Sequence, residues 1–451
     1  MKILYGKSNL ATFSRVKSKL KDILIKATLL HSNKLEPEYS RVNSSMNQYR
    51  YTIAVKFLTQ QKITRLAIDI AERAIVKAIK YDSTENVIIL ARMLVRHYGS
   101  KEFDKKKLNK YLKIERDYLN ILYWEIRAEN YYLELQSIQL KSFAKLDKAT
   151  EIKFKNYVIE LDKMTNINTI FFKDLRYKVK IALYESQNDY NSIFQLSDKT
   201  YKELIKSKNK SNIILQNINL RRAFALIQLG RFEESISIGT KDMKNLPSGS
   251  LGWYFIAHYK LKALLYKADY GNAIKLIKLM LEDPGFSKLG GNHKELFGAT
   301  LGYIHLIVNA GLAGDPIKMV KVLPEFKIGK FLNAIPVFSK DKLGINVSIL
   351  LMHIGFLLQR KNYNAIIDRI DSLKQYAYKY LRKDDTFRSN CMIKMVVQMT
   401  KADFNPIRTE RYTADLYKQL EQVKLAGSGE NIETEIIPYE VLWGIMKKAI
   451  Q

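Results

Sequence analysis

Apolar residues recur at spacings of three and four along most of this chain, which is the period of an amphipathic α-helix. An early stripe is flanked by lysines and consists of Phe13, Val16, Leu20, Ile23, Leu24, Ala27 and Leu30. The face between Ile63 and Ile79 is rich in alanine, which lets two helices approach closely. Residues 82–85 have the pattern of a capping box and predict a further helix that continues to Tyr98.

Two other stretches also have helical patterns. Residues 106–145 contain no proline or glycine, which indicates either one very long helix or a helical hairpin, and we expect two long helices with a break near residues 128–130. Residues 347–358 are almost wholly apolar, but they are too few to span a bilayer and predict a buried helix.

Four short segments later in the chain resemble one another. Each places an aromatic residue after a polar turn and lies between two predicted helices; the aromatics are Tyr190, Phe232, Tyr270 and Tyr363. They lie 42, 38 and 93 residues apart, and a turn at residues 311–316 divides the longest gap. Steps near 40 residues are typical of helix-hairpin repeats.

The segment from Arg221 to Pro247 resembles a tetratricopeptide repeat. Its small and large apolar positions, its turn glycine, its aromatic and its crossing residue are Ala223, Leu226, Gly230, Phe232 and Ser235. A second copy has Tyr270 and Ala273 in the matching places. At Gly239 and Asp242 the family prefers an aromatic residue and an alanine.

The resemblance implies an all-α fold, an α-solenoid of stacked antiparallel helix hairpins that is elongated and curved. It also implies a scaffold, adaptor or sensor that holds a partner protein or peptide in a concave groove. We expect divergent hairpins over residues 1–165, tetratricopeptide-like repeats over 166–423, and a linker with a capping or docking element over 424–451. The expected repeat-packing residues are Ala223, Leu226, Gly230, Phe232, Ser235, Tyr190, Tyr270, Ala273 and Tyr363.

The formal net charge of +30 adds a second possible function. Residues 1–150 carry +14, residues 151–400 carry +17, and the remainder carries −1. Such a charge attracts polyanions, although a lysine-rich composition alone also produces it. Basic residues interleaved with tyrosines are the candidate polyanion contacts: Lys106, Lys107, Lys110, Lys113, Arg116, Lys379, Arg382 and Lys383. In the alternative interpretation the tyrosines pack between hairpins and the lysines are solvated.

Candidate chemistry is scarce. The six histidines form no metal-binding motif, the single cysteine, Cys391, lies in an apolar helical context that predicts burial, and no phosphate-binding loop or nucleophile elbow occurs. We therefore expect no catalytic residue, cofactor or metal site. With 8 prolines and 20 glycines in 451 residues, the chain has too few turn residues for a β-sandwich or barrel.

The remaining expectations concern location and the C-terminal element. One cysteine and no early apolar run predict a cytoplasmic protein without a membrane span. After a Gly/Ser linker near residues 426–429, an apolar element centred on Trp443 either caps the last hairpin or docks onto a partner. The sequence therefore favours a non-catalytic protein-interaction scaffold, with an RNA- or single-stranded-DNA-binding repeat protein as the alternative.

Overall fold

The computed structural model describes residues 10–30, 40–141, 147–206, 211–334, 345–380, 387–425 and 434–451. Within these ranges the chain forms twenty α-helices and no strand. The helices are α1 Leu10–Leu30, α2 Ser40–Gln60, α3 Thr64–Lys80, α4 Thr84–Arg96, α5 Lys105–Lys141, α6 Lys148–Asp162, α7 Ile170–Ser186, α8 Tyr190–Ile205, α9 Asn212–Gln228, α10 Phe232–Asn245, α11 Leu251–Tyr266, α12 Tyr270–Glu282, α13 Gly291–Asn309, α14 Pro316–Val322, α15 Ile328–Ala334, α16 Ile345–Gln359, α17 Tyr363–Tyr380, α18 Phe387–Lys401, α19 Pro406–Gln422 and α20 Tyr439–Ile450. The all-α class is confirmed.

The chain divides into two compact units, and consecutive helices pack against each other within them. The first unit holds the described parts of Met1–Asn130, Met164–Leu175 and Lys208–Ile213. The second holds the described parts of Tyr131–Lys163, Arg176–Ser207 and Ile214–Gln451. The repeat boundaries expected at residues 165 and 423 stay predictions.

Eight helix ends in the described chain share one turn. In each, the second residue after the helix has a left-handed backbone with φ between 51° and 76°: Lys62, Asp82, Asn188, Gly230, Ala268, Gly311, Lys361 and Asp403. The next amide donates to the carbonyl five residues earlier over 2.8–3.1 Å, as Arg231 does to Leu226. This is the Schellman pattern, which satisfies the carbonyls that a helix end leaves without partners.

In six of these eight turns the next helix begins two residues after the left-handed residue. The four aromatic segments found in the sequence are among these six, and each aromatic is the first residue of the following helix. Three turns add a cap, since the side-chain oxygens of Asp189, Asp269 and Asn362 accept the amides of the residues three positions later at 3.0, 3.3 and 3.3 Å. The same short turn therefore produces most of the hairpins.

The residues expected to pack the repeat lie at helix crossings in the second unit. Ala223, Leu226, Ser235 and Ala273 are at most 1% exposed. The Ser235 hydroxyl donates to the Ala223 carbonyl at 3.2 Å, which joins the two helices of one hairpin. Aromatic contacts extend between hairpins, with ring centroids 5.6, 5.8 and 4.4 Å apart in the pairs Tyr190–Phe224, Phe232–Tyr266 and Tyr363–Phe404.

The two departures from the tetratricopeptide pattern have a physical reason. A Cβ atom on Gly239 would lie 2.8 Å from the Cβ atom of Lys260, so α10 and α11 approach too closely for an aromatic side chain. Asp242 is buried and accepts a hydrogen bond from the Asn219 amide at 2.7 Å. Burial raises the pKa of this carboxyl group above its ordinary value.

The helix break expected at residues 128–130 is wrong, because α5 runs without interruption from Lys105 to Lys141. Its inward stripe continues through the expected break, with Ala128, Tyr131 and Leu135 all buried. The exposed Asn130 does not end the helix, because buried residues pack on both sides of it along the chain.

The buried helix expected at residues 347–358 is confirmed as α16, which is apolar all round because α13, α17 and α20 pack against it. The alanine-rich face of α3 is also buried as expected. Within the described ranges, no helix has both the length and the apolar character needed to cross a membrane.

Two substitutions at the same turn position should act in opposite directions. We expect Gly230→Ala to destabilise the protein by about 1–2 kcal/mol, because a Cβ atom disfavours the left-handed backbone. We expect Ala268→Gly to be neutral or stabilising by up to about 1 kcal/mol for the same reason. Equilibrium urea unfolding measures both.

A Cβ atom on Gly230 would have no neighbour within 4 Å, so backbone conformation alone decides that effect. If the two substitutions shift stability in the same direction, the shared left-handed turn does not control it.

Candidate interaction surfaces

Residues 434–451 lie within the second unit, on the first helices of four hairpins. The Glu435 carbonyl accepts from Lys262 Nζ at 2.6 Å and from the Tyr266 hydroxyl at 2.8 Å, both on α11. The Thr434 carbonyl accepts from the Ser348 hydroxyl on α16. Lys448 Nζ donates to the Ala310 carbonyl after α13 at 2.8 Å. The C-terminal segment is therefore held against other helices of the second unit by hydrogen bonds to backbone carbonyls.

A buried ion cluster fixes the start of this segment. Arg388 on α18 donates two hydrogen bonds to the Glu435 carboxylate at 2.7 and 2.9 Å and one to Glu440 at 2.7 Å. It also donates to the carbonyls of Leu420 and Val423 at 3.0 and 2.7 Å. Burial alone would lower the pKa of Arg388, but hydrogen bonds and charge from Glu435, and then from Glu440, raise it above its ordinary value. The guanidinium is therefore charged and all its nitrogens are bonded.

Trp443, expected as a possible docking residue, is 1% exposed and belongs to the core of the second unit. Its neighbours in α20, Leu442, Ile445 and Met446, are also buried. A ring in this position offers no surface to a partner, so here the element covers helices of its own chain. The linker residues 426–433 lie outside the described residues.

The first set of candidate polyanion contacts lies on α5. Lys106, Lys110, Lys113 and Arg116 are exposed. Lys107 is already paired within the protein, because its Nζ donates to the Tyr98 hydroxyl at 2.9 Å and lies 3.1 Å from a Glu72 carboxylate oxygen.

Of the two tyrosines within this set, Tyr118 is half-buried and Tyr111 is not available for stacking. Tyr111 is 3% exposed and donates to Glu72 at 3.1 Å. Burial, together with the nearby Glu72 charge and hydrogen bond, raises the pKa of Tyr111 well above its ordinary value. The structure thus places this ring in a core network and four of the five cations at the surface.

The second set of candidate polyanion contacts falls largely outside the described residues. Lys379 lies in α17, but its side chain is not among those described, and Arg382 and Lys383 lie in the gap at 381–386.

A groove of about 410 Å³ lies between α10, α11 and α12 in the second unit. Ile236, Leu264, Leu276 and Leu279 supply its apolar lining, and Lys260, Lys267 and Lys275 supply cations. Lys267 pairs with Glu233, and burial with the nearby Lys244 lowers the pKa of Lys260. The groove could hold a short apolar segment with an acidic residue.

Helix α2 has its polar side inward. Gln48 and Thr52 are 2% and 3% exposed, and the Thr52 hydroxyl donates at 2.7 Å to the side chain of Asn86, itself fully buried on α4. The opposite face carries an apolar stripe that is 38–59% exposed: Met46, Tyr49, Ile53 and Phe57. At 100° per residue this α2 stripe is centred about 140° from the buried residues Gln48, Thr52 and Val55. The sequence does not predict that this stripe is exposed, because apolar periodicity does not say which of two helix faces is buried.

Helix α1 carries a similar stripe. Phe13, Leu20, Ile23 and Leu24 are 47–62% exposed, so the stripe seen in the sequence lies at the surface. Of the 31 exposed large apolar side chains in the described chain, 18 belong to the first unit, although it is the smaller unit. Contiguous exposed apolar surface of this kind usually marks an interaction site.

Potential catalytic and metal-binding groups do not converge in the described residues. No group of three or more histidine, cysteine, aspartate or glutamate side chains could hold a metal ion there. Cys391 is buried, as its apolar context predicts. His258 is buried too, and neither ring nitrogen has a hydrogen-bond partner among the described residues.

Breaking the Arg388 cluster should strongly destabilise the protein. We expect Arg388→Met to lower the free energy of unfolding by about 3–5 kcal/mol, because the buried Glu435 carboxylate would lose its counter-ion. The matched control, Lys447→Met, removes an exposed pair with Glu410 at 3.0 Å and should cost less than about 1 kcal/mol. Urea unfolding of both variants tests this, and equal losses would contradict it.

His258 should make stability depend on pH. Burial, with smaller effects from Lys262 and His293, lowers the pKa of His258 to about 3, against 6.5 for the ordinary side chain. Between these values the unfolded chain binds the extra proton, so stability falls as the pH drops below 6.5. Wild-type protein should lose about 1 kcal/mol more than His258→Leu between pH 6.5 and 5.5. Identical pH profiles in urea unfolding would refute the assignment.

Set against models of known protein families, curated proteins and solved structures, the chain matches none of them significantly. The likeness to tetratricopeptide repeats therefore rests on the turn, crossing and aromatic residues described above.

Proposed function

We propose that this protein is a non-catalytic interaction scaffold, built as a tetratricopeptide-like solenoid, that binds a partner protein. The observation that carries the proposal is the exposed apolar stripe on α2, which lies opposite the helix's own buried face. Fully burying a large apolar side chain contributes about 1.5–3 kcal/mol, so covering four half-exposed ones contributes several kcal/mol to binding. Helix faces with anchors at this spacing are a common protein-recognition surface.

The position of the C-terminal segment, residues 434–451, supports the same function. In the second unit the first helices of four hairpins are covered by residues 434–451, so that surface is occupied by the chain itself. Helix α2 is also the first helix of its hairpin, and its outer face has no such cover among the described residues. We therefore place the partner's binding site on the first unit rather than on the surface that holds α20.

Nucleic-acid binding stays the alternative function. Lys106, Lys110, Lys113 and Arg116 give α5 an exposed basic face that could contact phosphates. Recognition of unpaired bases also needs accessible aromatic rings; on α5 Tyr111 is buried, whereas Tyr123 is 52% exposed. The α2 stripe instead supplies apolar anchors suited to a protein partner. The single cysteine is consistent with action in the cytoplasm.

Charges introduced into the α2 stripe should abolish partner binding. We expect Ile53→Glu/Phe57→Glu to release a partner that co-purifies stoichiometrically with the tagged wild-type protein from its native cell, because two anchors become charged. The fold should survive, since both side chains are more than half exposed. Quantitative mass spectrometry after nuclease treatment, at low and high salt, measures the loss.

The matched control is Ile407→Glu in the second unit, where the side chain is 82% exposed. It should retain the partner. If salt-sensitive nucleic acid co-purifies and no protein does, the scaffold proposal fails and the nucleic-acid alternative takes its place.

A further inference from the structure

The α1 and α2 stripes repeat each other with an offset of 33 residues. Phe13, Val16, Leu20 and Leu24 correspond to Met46, Tyr49, Ile53 and Phe57. Each stripe therefore has anchors at the same three- and four-residue intervals over twelve residues, a length of about 17 Å. The two faces are chemically matched and suit one kind of ligand, an α-helix of about three turns or more with its own apolar stripe.

The charge around the stripes restricts that ligand further. The two helices together hold eight basic residues and one acidic residue, Asp22. On α1, Arg15, Lys17, Lys19 and Lys21 are exposed. On α2, Lys56 is exposed beside Phe57. A helix with acidic residues flanking its apolar stripe would gain from this field, and a basic one would be repelled.

The same charges disfavour two other occupants. Packing the α1 and α2 stripes against each other, within one chain or between two copies, would bring the exposed Arg15, Lys17, Lys19 and Lys21 of α1 towards Lys56 of α2, with Asp22 and Glu85 as the nearby carboxylates. An anionic membrane surface would meet Glu85, whose carboxylate accepts the Tyr49 hydroxyl at 2.8 Å and so lies beside the stripe. A protein helix can place a neutral residue at that point, whereas a continuous anionic surface cannot.

We propose that the apolar stripes of α1 and α2 bind an acidic amphipathic helix of a partner protein. This inference rests on the proposed scaffold function and adds the chemistry of the partner. Apolar anchors supply most of the affinity, and the basic flanks select the sign of the ligand's charge and speed association.

Three synthetic 18-residue helical peptides test the proposal against the full chain by fluorescence anisotropy. The first has a leucine stripe with glutamate flanks, the second has the same stripe with lysine flanks, and the third keeps the glutamates but replaces the leucines with serine. We expect the first to bind at least ten-fold more tightly than either other peptide, and its affinity to fall as salt increases.

Variants locate the site on the protein. Leu20→Glu/Leu24→Glu and Ile53→Glu/Phe57→Glu should each weaken binding of the leucine–glutamate peptide at least ten-fold, whereas Ile407→Glu should not change it. Circular dichroism and urea unfolding identify a variant that has lost its fold; in that case Leu20→Ser and Ile53→Ser replace the glutamate pairs, with the same expected direction. Equal affinity for the glutamate- and lysine-flanked peptides overturns the inference.

Vesicles of mixed neutral and anionic phospholipid provide the last arm. If the protein binds these vesicles and the leucine–glutamate peptide does not compete for that binding, the ligand of the stripes is a membrane surface and the inferred protein helix is wrong. The results distinguish a failure of this inference about the partner's chemistry from a failure of the proposed scaffold function. If the native partner is captured through Ile53 and Phe57 but the peptides show no charge preference, the scaffold function stands and only the partner's chemistry is wrong. If no partner is captured and no peptide binds, both are wrong.

Discussion

The fold depends on a two-residue reversal that ends one helix and starts the next. A left-handed residue turns the chain, and the following amide donates back to a carbonyl in the last turn of the helix. The connection is so short that the two helices must lie antiparallel and in contact. Because a single hairpin cannot cover both of its apolar faces, each must pack against a neighbour or stay exposed. Buried and exposed apolar faces in this chain are two results of that one constraint.

In the second unit, apolar helix faces are covered by the C-terminal segment of the same chain. Residues 434–451 cover the first helices of four hairpins, and a charged cluster at Arg388 fixes where the segment starts. A buried ion pair contributes little net stability compared with an apolar contact, yet it requires one geometry. Arg388 makes all its hydrogen bonds only when Glu435, Glu440 and two carbonyls are in place together. The cluster therefore specifies the register of the segment, while Trp443 and its neighbours supply the apolar burial.

The sequence predicts helices well and their contacts poorly, for identifiable reasons. Hairpin turns were visible where an aromatic or glycine follows the helix, as at Gly230 and Phe232. The turn at Lys62 was not, since a left-handed lysine leaves no compositional signal, and the turn at Asp82 was visible only through the capping-box pattern of residues 82–85. The burial of α16 followed directly from its all-round apolar composition. The continuity of α5 did not follow from its sequence, because packing around Ala128 decides whether a helix crosses a weak position.

Candidate surfaces were harder still to predict, because they depend on which face of an amphipathic helix is inward. In α2 the inward choice is polar: Thr52 and Asn86 hydrogen-bond in the core. With this bond formed and Val55 also buried, the helix rotation is fixed and Met46, Tyr49, Ile53 and Phe57 face outward. Burying the apolar stripe instead would leave the buried Asn86 side-chain oxygen without this donor, at a cost of about 1–3 kcal/mol. The hydrogen bond between α2 and α4 is thus also the one that exposes the proposed interaction surface, so a polar pair in the core helps to determine which apolar face stays at the surface.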